Sequence, residues 1–303
     1  MLHLTIELGR RFVCHDTQPF IETLSGFTAL RSFELKLKDV DVTAPVLPGT
    51  IRVLLQSAPE LKDLAIHATL SDDMDMWPFH FSAPASSLFS ELGTSRPARL
   101  RSLTIEGSTV TVNKGLASHV DLKSLERLVL WHDYILRNPL VEDDFWPWFK
   151  VTACTAPGGL KLKHLTSSRL SPGLMEFLLS YRALEELCFS SGFYPVRVPD
   201  FDLETAGPDS TGSENESTST DQPLVDKFFK TVLPIHKDRL RSLALCGELP
   251  ELEPWKLKKE HLDSVMECQG LTSLHIPFCQ PVVEKDLVSV SRFSNPYVPL
   301  LTF

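Results

Sequence analysis

The sequence predicts an α/β solenoid: a curved, right-handed array of strand–helix units with a parallel sheet on its concave face. Three observations predict it. A phrase of the form Leu-x-x-Leu-x-Leu, with Ile, Phe or Met admitted for Leu, recurs along the whole chain. The segments between its copies carry helix start and stop signals. The composition, 43% hydrophobic and 23% charged, is that of an ordinary folded chain with ample core material.

In order, the phrase fits at Met1-Leu4-Ile6, Leu30-Phe33-Leu35, Leu61-Leu64-Ile66, Leu100-Leu103-Ile105 and Leu125-Leu128-Leu130. It fits again at Leu184-Leu187-Phe189, Leu240-Leu243-Leu245 and Leu271-Leu274-Ile276, and weakly at Leu162-Leu165, where Ser167 takes the last apolar place. Three copies open on almost the same letters: Leu30-Arg31-Ser32, Leu100-Arg101-Ser102 and Leu240-Arg241-Ser242. The fourth and sixth places are two residues apart, so in a strand both point to one side and their neighbours to the other. One such strand is too short to stand alone and needs identical neighbours beside it. Leu103, Leu128, Leu187 and Leu243, at the inward fourth place, should therefore be almost fully buried.

Between the strands, "TQPFIETLSG" offers Thr17 as a cap, Pro19 in the first turn and Gly26 at the end. "SPGLMEFLLSYRALEEL" offers Ser171 followed by Pro172, "DQPLVDKFFKTVL" begins at Asp221, and "KKEHLDSVMECQG" ends at Gly270. Polar caps at the start and glycine at the end are what the unpaired backbone groups of helix termini require. Strand, turn, helix and return describe a right-handed βα array in which each unit leans on its neighbours. The expected organisation is one array over 1–303 of about eight or nine irregular repeats, reading as a piece of a longer array because neither end carries a polar cap. "NPYVPLLTF" at the C-terminus looks like the start of a further strand.

The pattern resembles the leucine-rich repeats of the ribonuclease inhibitor-like type, and more narrowly the irregular repeats of fungal F-box proteins. "APELKDLAI", "LKSLERLVL" and "CQGLTSLHI" carry that likeness. The resemblance implies a non-catalytic protein–protein interaction scaffold, the substrate-recognition part of a ubiquitin-ligase adaptor. It also implies cullin ubiquitin-ligase components as partners if a longer form supplies an F-box. The chain departs from the family in one respect: the short helical F-box motif is absent and the sequence starts on a strand.

Charge narrows the partners. The formal net charge is −9, but Asp200 to Pro223 holds seven acids and no Lys or Arg, leaving −2 on the rest. A nearly neutral body disfavours binding to a phosphate backbone, which needs many Lys and Arg. No apolar run approaches the 18 or so residues of a membrane span. The N-terminus lacks an apolar signal region. Six cysteines without a C-x-x-C pair then read as reduced thiols of a cytoplasmic or nuclear protein. The stretch over roughly 200–222 is acidic, rich in Ser and Thr and poor in hydrophobes, the composition of a disordered insertion. Within it Ser213 and Thr218 each precede an acid by three residues, which would suit an acidophilic kinase, although an inert solvated loop explains the stretch as well.

Chemistry is sparse. The motifs of nucleotide-binding loops, zinc proteases and serine hydrolases are missing. "SDDMDM" (71–76) lacks the glycine and distal glutamate of a calcium loop, and Cys14-His15 has no second pair at metal-ligand spacing. Neither cofactor nor metal is expected. The rival reading is a hydrolase or transferase on a divergent α/β fold, which would need one deep pocket with convergent polar groups. The aromatic runs "DMWPFHF" (75–81) and "DDFWPWFK" (143–150) occupy helix positions and are expected to pack on the convex side.

A binding surface follows from the register. Places three, five and seven of each unit face away from the core. This puts Glu34, Lys36, Asp63, His67, Thr104, Glu106, Arg127, Trp131, His164, Glu186, Ser242 and His275 on the exposed sheet face. Trp131 and Arg127 share a strand and are of the types that most often dominate interface energy. Against that, Trp131 could instead fold over the strand end onto the aromatics at 143–149.

Overall fold

The computed structural model describes residues 2–9, 18–38, 46–69, 83–89, 97–107, 110–131, 144–155, 159–168, 170–189, 222–245 and 258–276. Nine parallel strands form one sheet in chain order. They are β1 (Leu2–Leu8), β2 (Leu30–Lys38), β3 (Asp63–Thr69), β4 (Ser102–Gly107), β5 (Arg127–Trp131), β6 (His164–Ser167), β7 (Glu186–Phe189), β8 (Ser242–Leu245) and β9 (Ser273–His275). A two-residue pair, Ala83–Pro84 with Val110–Thr111, stands apart. Cys14-His15, the cap position Thr17, 71–76, 75–81, the insertion up to Asp221 and the C-terminal stretch lie outside the described residues.

The hexamer sets the register. Leu4, Phe33, Leu64, Leu103, Leu128, Leu165, Leu187, Leu243 and Leu274 stand opposite one another from strand to strand. A slip by one residue would turn this whole row outward, so the apolar pattern itself fixes the pairing. Leu103, Leu128 and Leu243 are 0% exposed and Leu187 2%. Ser167 keeps its place in the sixth row, between Leu130 and Phe189, and is buried.

A backbone junction repeats at the second place. The carbonyl of Lys62 accepts the N–H of Arg101 (2.7 Å) and of Ser102 (3.0 Å). Arg101, Glu126, Lys163, Glu185 and Arg241 each do the same for the next unit. One oxygen with two lone pairs thus closes each strand entry, and no side chain is needed for it.

Helices cover one face of the sheet: α1 (Gln18–Ser25), α2 (Val46–Ser57), α3 (Phe145–Thr155), α4 (Pro172–Ser180) and α6 (Lys259–Met266), with α5 between the last two. Helix α5 runs through Gln222–Lys227, a π-turn over Phe228–Val232, and Leu233–His236. Ser171 caps α4, its hydroxyl accepting the N–H of Leu174 at 3.2 Å, with Pro172 at the first turn. Helix α6 stops at Met266 rather than reaching Gly270, because the N–H of Cys268 turns back to Val265 and that of Leu271 to Cys268. Short 3₁₀ turns at Lys114–Ser118 and Leu122–Ser124 stand in the connection between β4 and β5.

The second aromatic run is core. Phe145, Trp146 and Phe149 are buried on α3, and Trp146 stacks on Phe177 of α4 with centroids 5.8 Å apart. Phe177 in turn stacks on Tyr181 at 5.3 Å. The Tyr181 hydroxyl lies within hydrogen-bond distance of the carbonyls of Leu160 (2.9 Å) and Leu162 (2.7 Å), and burial pushes its pKa up to about 12.

Candidate functional site

The core lies on one face of the sheet, so function has to be sought on the other. The burial pattern of β2 alternates along the strand, with Phe33, Leu35 and Leu37 enclosed and Ser32, Glu34 and Lys36 partly open. The odd places therefore form three rows across the strands. Row three runs through Ser32, Asp63, Ser102, Arg127, His164, Glu186, Ser242 and Ser273. Row five runs through Glu34, Ala65, Thr104, Val129, Thr166, Cys188, Ala244 and His275, and row seven through Lys36, His67, Glu106 and Trp131. Every residue named from the sequence as facing away from the core falls in one of these rows.

At the β1 end the rows knit into a polar network. The Thr5 hydroxyl donates to Glu34 Oε2 at 2.9 Å, and His3 reaches both Ser32 Oγ and Thr5 Oγ1 at 2.9 Å. Lys36 Nζ stands 3.5 Å from Glu34 Oε1. His67 lies between two carboxylates, with Nε2 3.3 Å from Glu34 and Nδ1 2.7 Å from Glu106. Partial burial works against ionisation of Glu34, but the Thr5 hydroxyl, Lys36 and His67 together hold its carboxyl below the ordinary range. Such surface pairs add little stability. Their effect is to fix side-chain positions on the face.

Midway along the sheet a hollow of about 220 Å³ is lined by Asp63, Arg101, Ser102, Glu126, Arg127 and His164. Arg101 Nε donates to Glu126 at 3.0 Å. His164 Nδ1 lies 2.7 Å from Glu186 Oε2. A second hollow of about 440 Å³, lined by Leu2, Ala29, Arg31 and Glu60, opens beside β1. Arg101 and Glu126 were not foreseen as site residues. They occupy the second place, one step before the odd rows, and the only signal was that most units put a charge there.

Trp131 is partly buried at the end of β5, in register with Glu106. The ring contacts of Phe145, Trp146 and Phe149 run among themselves and Trp148 and on to Phe177. Among the described residues none reaches Trp131.

Of the thiols, Cys188 sits in row five and Cys268 is buried with its pKa pushed up to about 11 by burial, so Cys268 is a poor nucleophile. Among the described residues no group of three His, Cys, Asp or Glu could hold a metal ion, and no helix is long and apolar enough to cross a membrane. No protein-family model matches the chain, and no curated protein does either.

Proposed function

We propose that the chain is a leucine-rich-repeat solenoid that acts as a non-catalytic protein–protein interaction scaffold, working inside the cell. In this reading it is the substrate-recognition part of an F-box-type ubiquitin-ligase adaptor. The observation that carries it is the register. Nine parallel strands in chain order align the fourth-place residues of the hexamer in one buried row, and leave three rows of mostly polar side chains on the opposite face. A face of that kind offers many shallow contacts along a strip rather than one deep convergent site, which suits a macromolecular partner better than a small substrate.

Affinity capture tests the reading, with the full chain as bait beside a variant whose face is blocked by Thr104→Arg and Thr166→Arg. A protein enriched by the wild type and lost with the blocked variant supports the scaffold. Equal capture by both removes it. Recovery of cullin-adaptor components in the wild-type sample supports the ligase link, and their absence from a sample that does hold a face-dependent partner removes that link alone.

A further inference from the structure

We infer that the hollow over β3 to β6 is a two-point charge clamp for an extended peptide segment of the partner, with Arg127 taking an acidic side chain and Asp63 a basic one. The inference rests on the scaffold reading and names the chemistry that its face selects.

Two of the four Asp, Glu and Arg charges in the hollow are already committed. Arg101 and Glu126 close on each other at 3.0 Å, and the His164 ring lies against Glu186. Asp63 and Arg127 are the exceptions: among the described residues neither side chain has an ion-pair or hydrogen-bond partner. They carry opposite signs and sit in the same row, with Ser102 between them in register with both. Two strand intervals put their backbones about 9.5 Å apart. Ser102 is too short to bridge them.

In water two separated charges of this kind cost little, since even a formed surface pair is worth about 1 kcal/mol or less. Covering the hollow changes that. A partner that excluded water without supplying opposite charges would strand an acid and a base in a poorly solvated site. The clamp thus selects by penalty as well as by attraction: it rejects apolar or like-charged segments and fixes the direction of an accepted one. Arg127 is also the only Lys or Arg at an odd place from β4 to β9, and the other Arg of the hollow, Arg101, is already paired with Glu126. In row five the adjoining Thr104 and Thr166, on either side of the nearly enclosed Val129, are small enough to let a main chain lie close to the sheet across the strands.

The probe is a displayed library of random peptides selected on the full chain, then repeated on Arg127→Glu, on Asp63→Lys and on the double exchange. All variants are checked for unchanged thermal unfolding, as expected for substitutions at two unpartnered side chains outside the core. Selected peptides should carry an acid and a base at a constant spacing. Each single exchange should weaken them on the order of tenfold, equivalent to about 1.4 kcal/mol. The double exchange should select peptides with the two charges transposed. If peptides bind, are lost with Thr104→Arg/Thr166→Arg, and ignore both charge exchanges, the clamp is wrong while the scaffold reading stands. If no peptide is selected, the clamp is overturned, and capture of a folded partner then decides the scaffold reading by itself.

Discussion

His261 and Asp226, 35 residues apart in sequence, meet with the imidazole Nε2 3.0 Å from a carboxylate oxygen. The ring lies flat on Phe229, centroids 4.6 Å apart, and its side chain is 0% exposed. Its other nitrogen, Nδ1, accepts the backbone N–H of Lys258 at 3.1 Å, the entry to α6. Neutral imidazole with its proton on Nε2 satisfies both contacts. A second proton on Nδ1 would face the Lys258 N–H, donor against donor. Burial lowers the pKa of His261, and the pull of Asp226 only partly offsets it.

Acid should therefore loosen the packing of α4, α5 and α6 before it titrates the carboxylates. His236 adds to the effect: it is 1% exposed, donates from Nε2 to Leu178 O at 3.0 Å, and burial likewise depresses its pKa. Both groups have folded pKa values below the ordinary 6.5. As pH falls through 6.5 the unfolded chain takes up protons that the folded chain refuses, so stability falls with pH. The slope approaches about 1.4 kcal/mol per pH unit for each histidine until its folded pKa is reached. Urea unfolding at pH 7.5, 6.5 and 5.5 measures this. An unchanged midpoint between 7.5 and 5.5 would show that neither ring is held neutral.

Truncation of the fourth-place row should report depth. Leu103→Ala, Leu128→Ala and Leu243→Ala remove side chains that are fully enclosed, and each should cost about 2–5 kcal/mol. Leu274 holds the same place on β9 but is only partly buried. Its truncation should cost visibly less. Equal losses at Leu274 and Leu128 would mean that Leu274 is as deeply enclosed as the middle of the row.

Two of the described glycines have positive φ, and their substitutions should differ. Gly107 (φ +124°) ends β4, and a Cβ there would collide with the backbone of Ala68 on β3, its partner in register. Gly159 (φ +69°) has open space around its Cβ position. Gly107→Ala should therefore exceed the roughly 1–3 kcal/mol of a strained backbone alone. Gly159→Asn should be nearly neutral, because asparagine tolerates that conformation. Thermal unfolding of the two variants checks the contrast, and the reverse order would mean that the β3–β4 contact gives way.

The hexamer made the strands legible because its period of two leaves only one register that buries Phe33, Leu64 and Leu103 together. Ser171-Pro172 made the start of α4 legible through a hydroxyl cap and a preset φ. What was not legible depended on contacts distant in sequence. Nothing local in "KKEHLDSVM" says that His261 will stack on Phe229, or that α6 will stop at Met266. The odd rows could be named from the same parity as the core. Which of the charges near them would stay open could not, since Arg101 is paired by Glu126 of the next strand, 25 residues on, and nothing local says so.

Trp131→Ala is the substitution that separates recognition from packing on the exposed face. The ring contacts of α3 lead toward α4 and pass Trp131 by. Trp131 instead ends β5 opposite Glu106, two places beyond Val129 and four beyond Arg127. Because the residue is only partly buried, its truncation should cost at most about 2 kcal/mol, below the roughly 3–5 of an enclosed Trp. A large ring on the same face of β5 as the open charge of Arg127, about 13 Å further along the strand, is the kind of anchor whose loss costs a complex about 2 kcal/mol or more, some thirtyfold in affinity. Capture of the face-dependent partner, measured well below the unfolding midpoint, should fall by that factor while the fold persists. Should binding survive and the midpoint drop as far as it does for Leu128→Ala, Trp131 belongs to the packing of the strand end, and the recognition surface must be sought nearer the hollow.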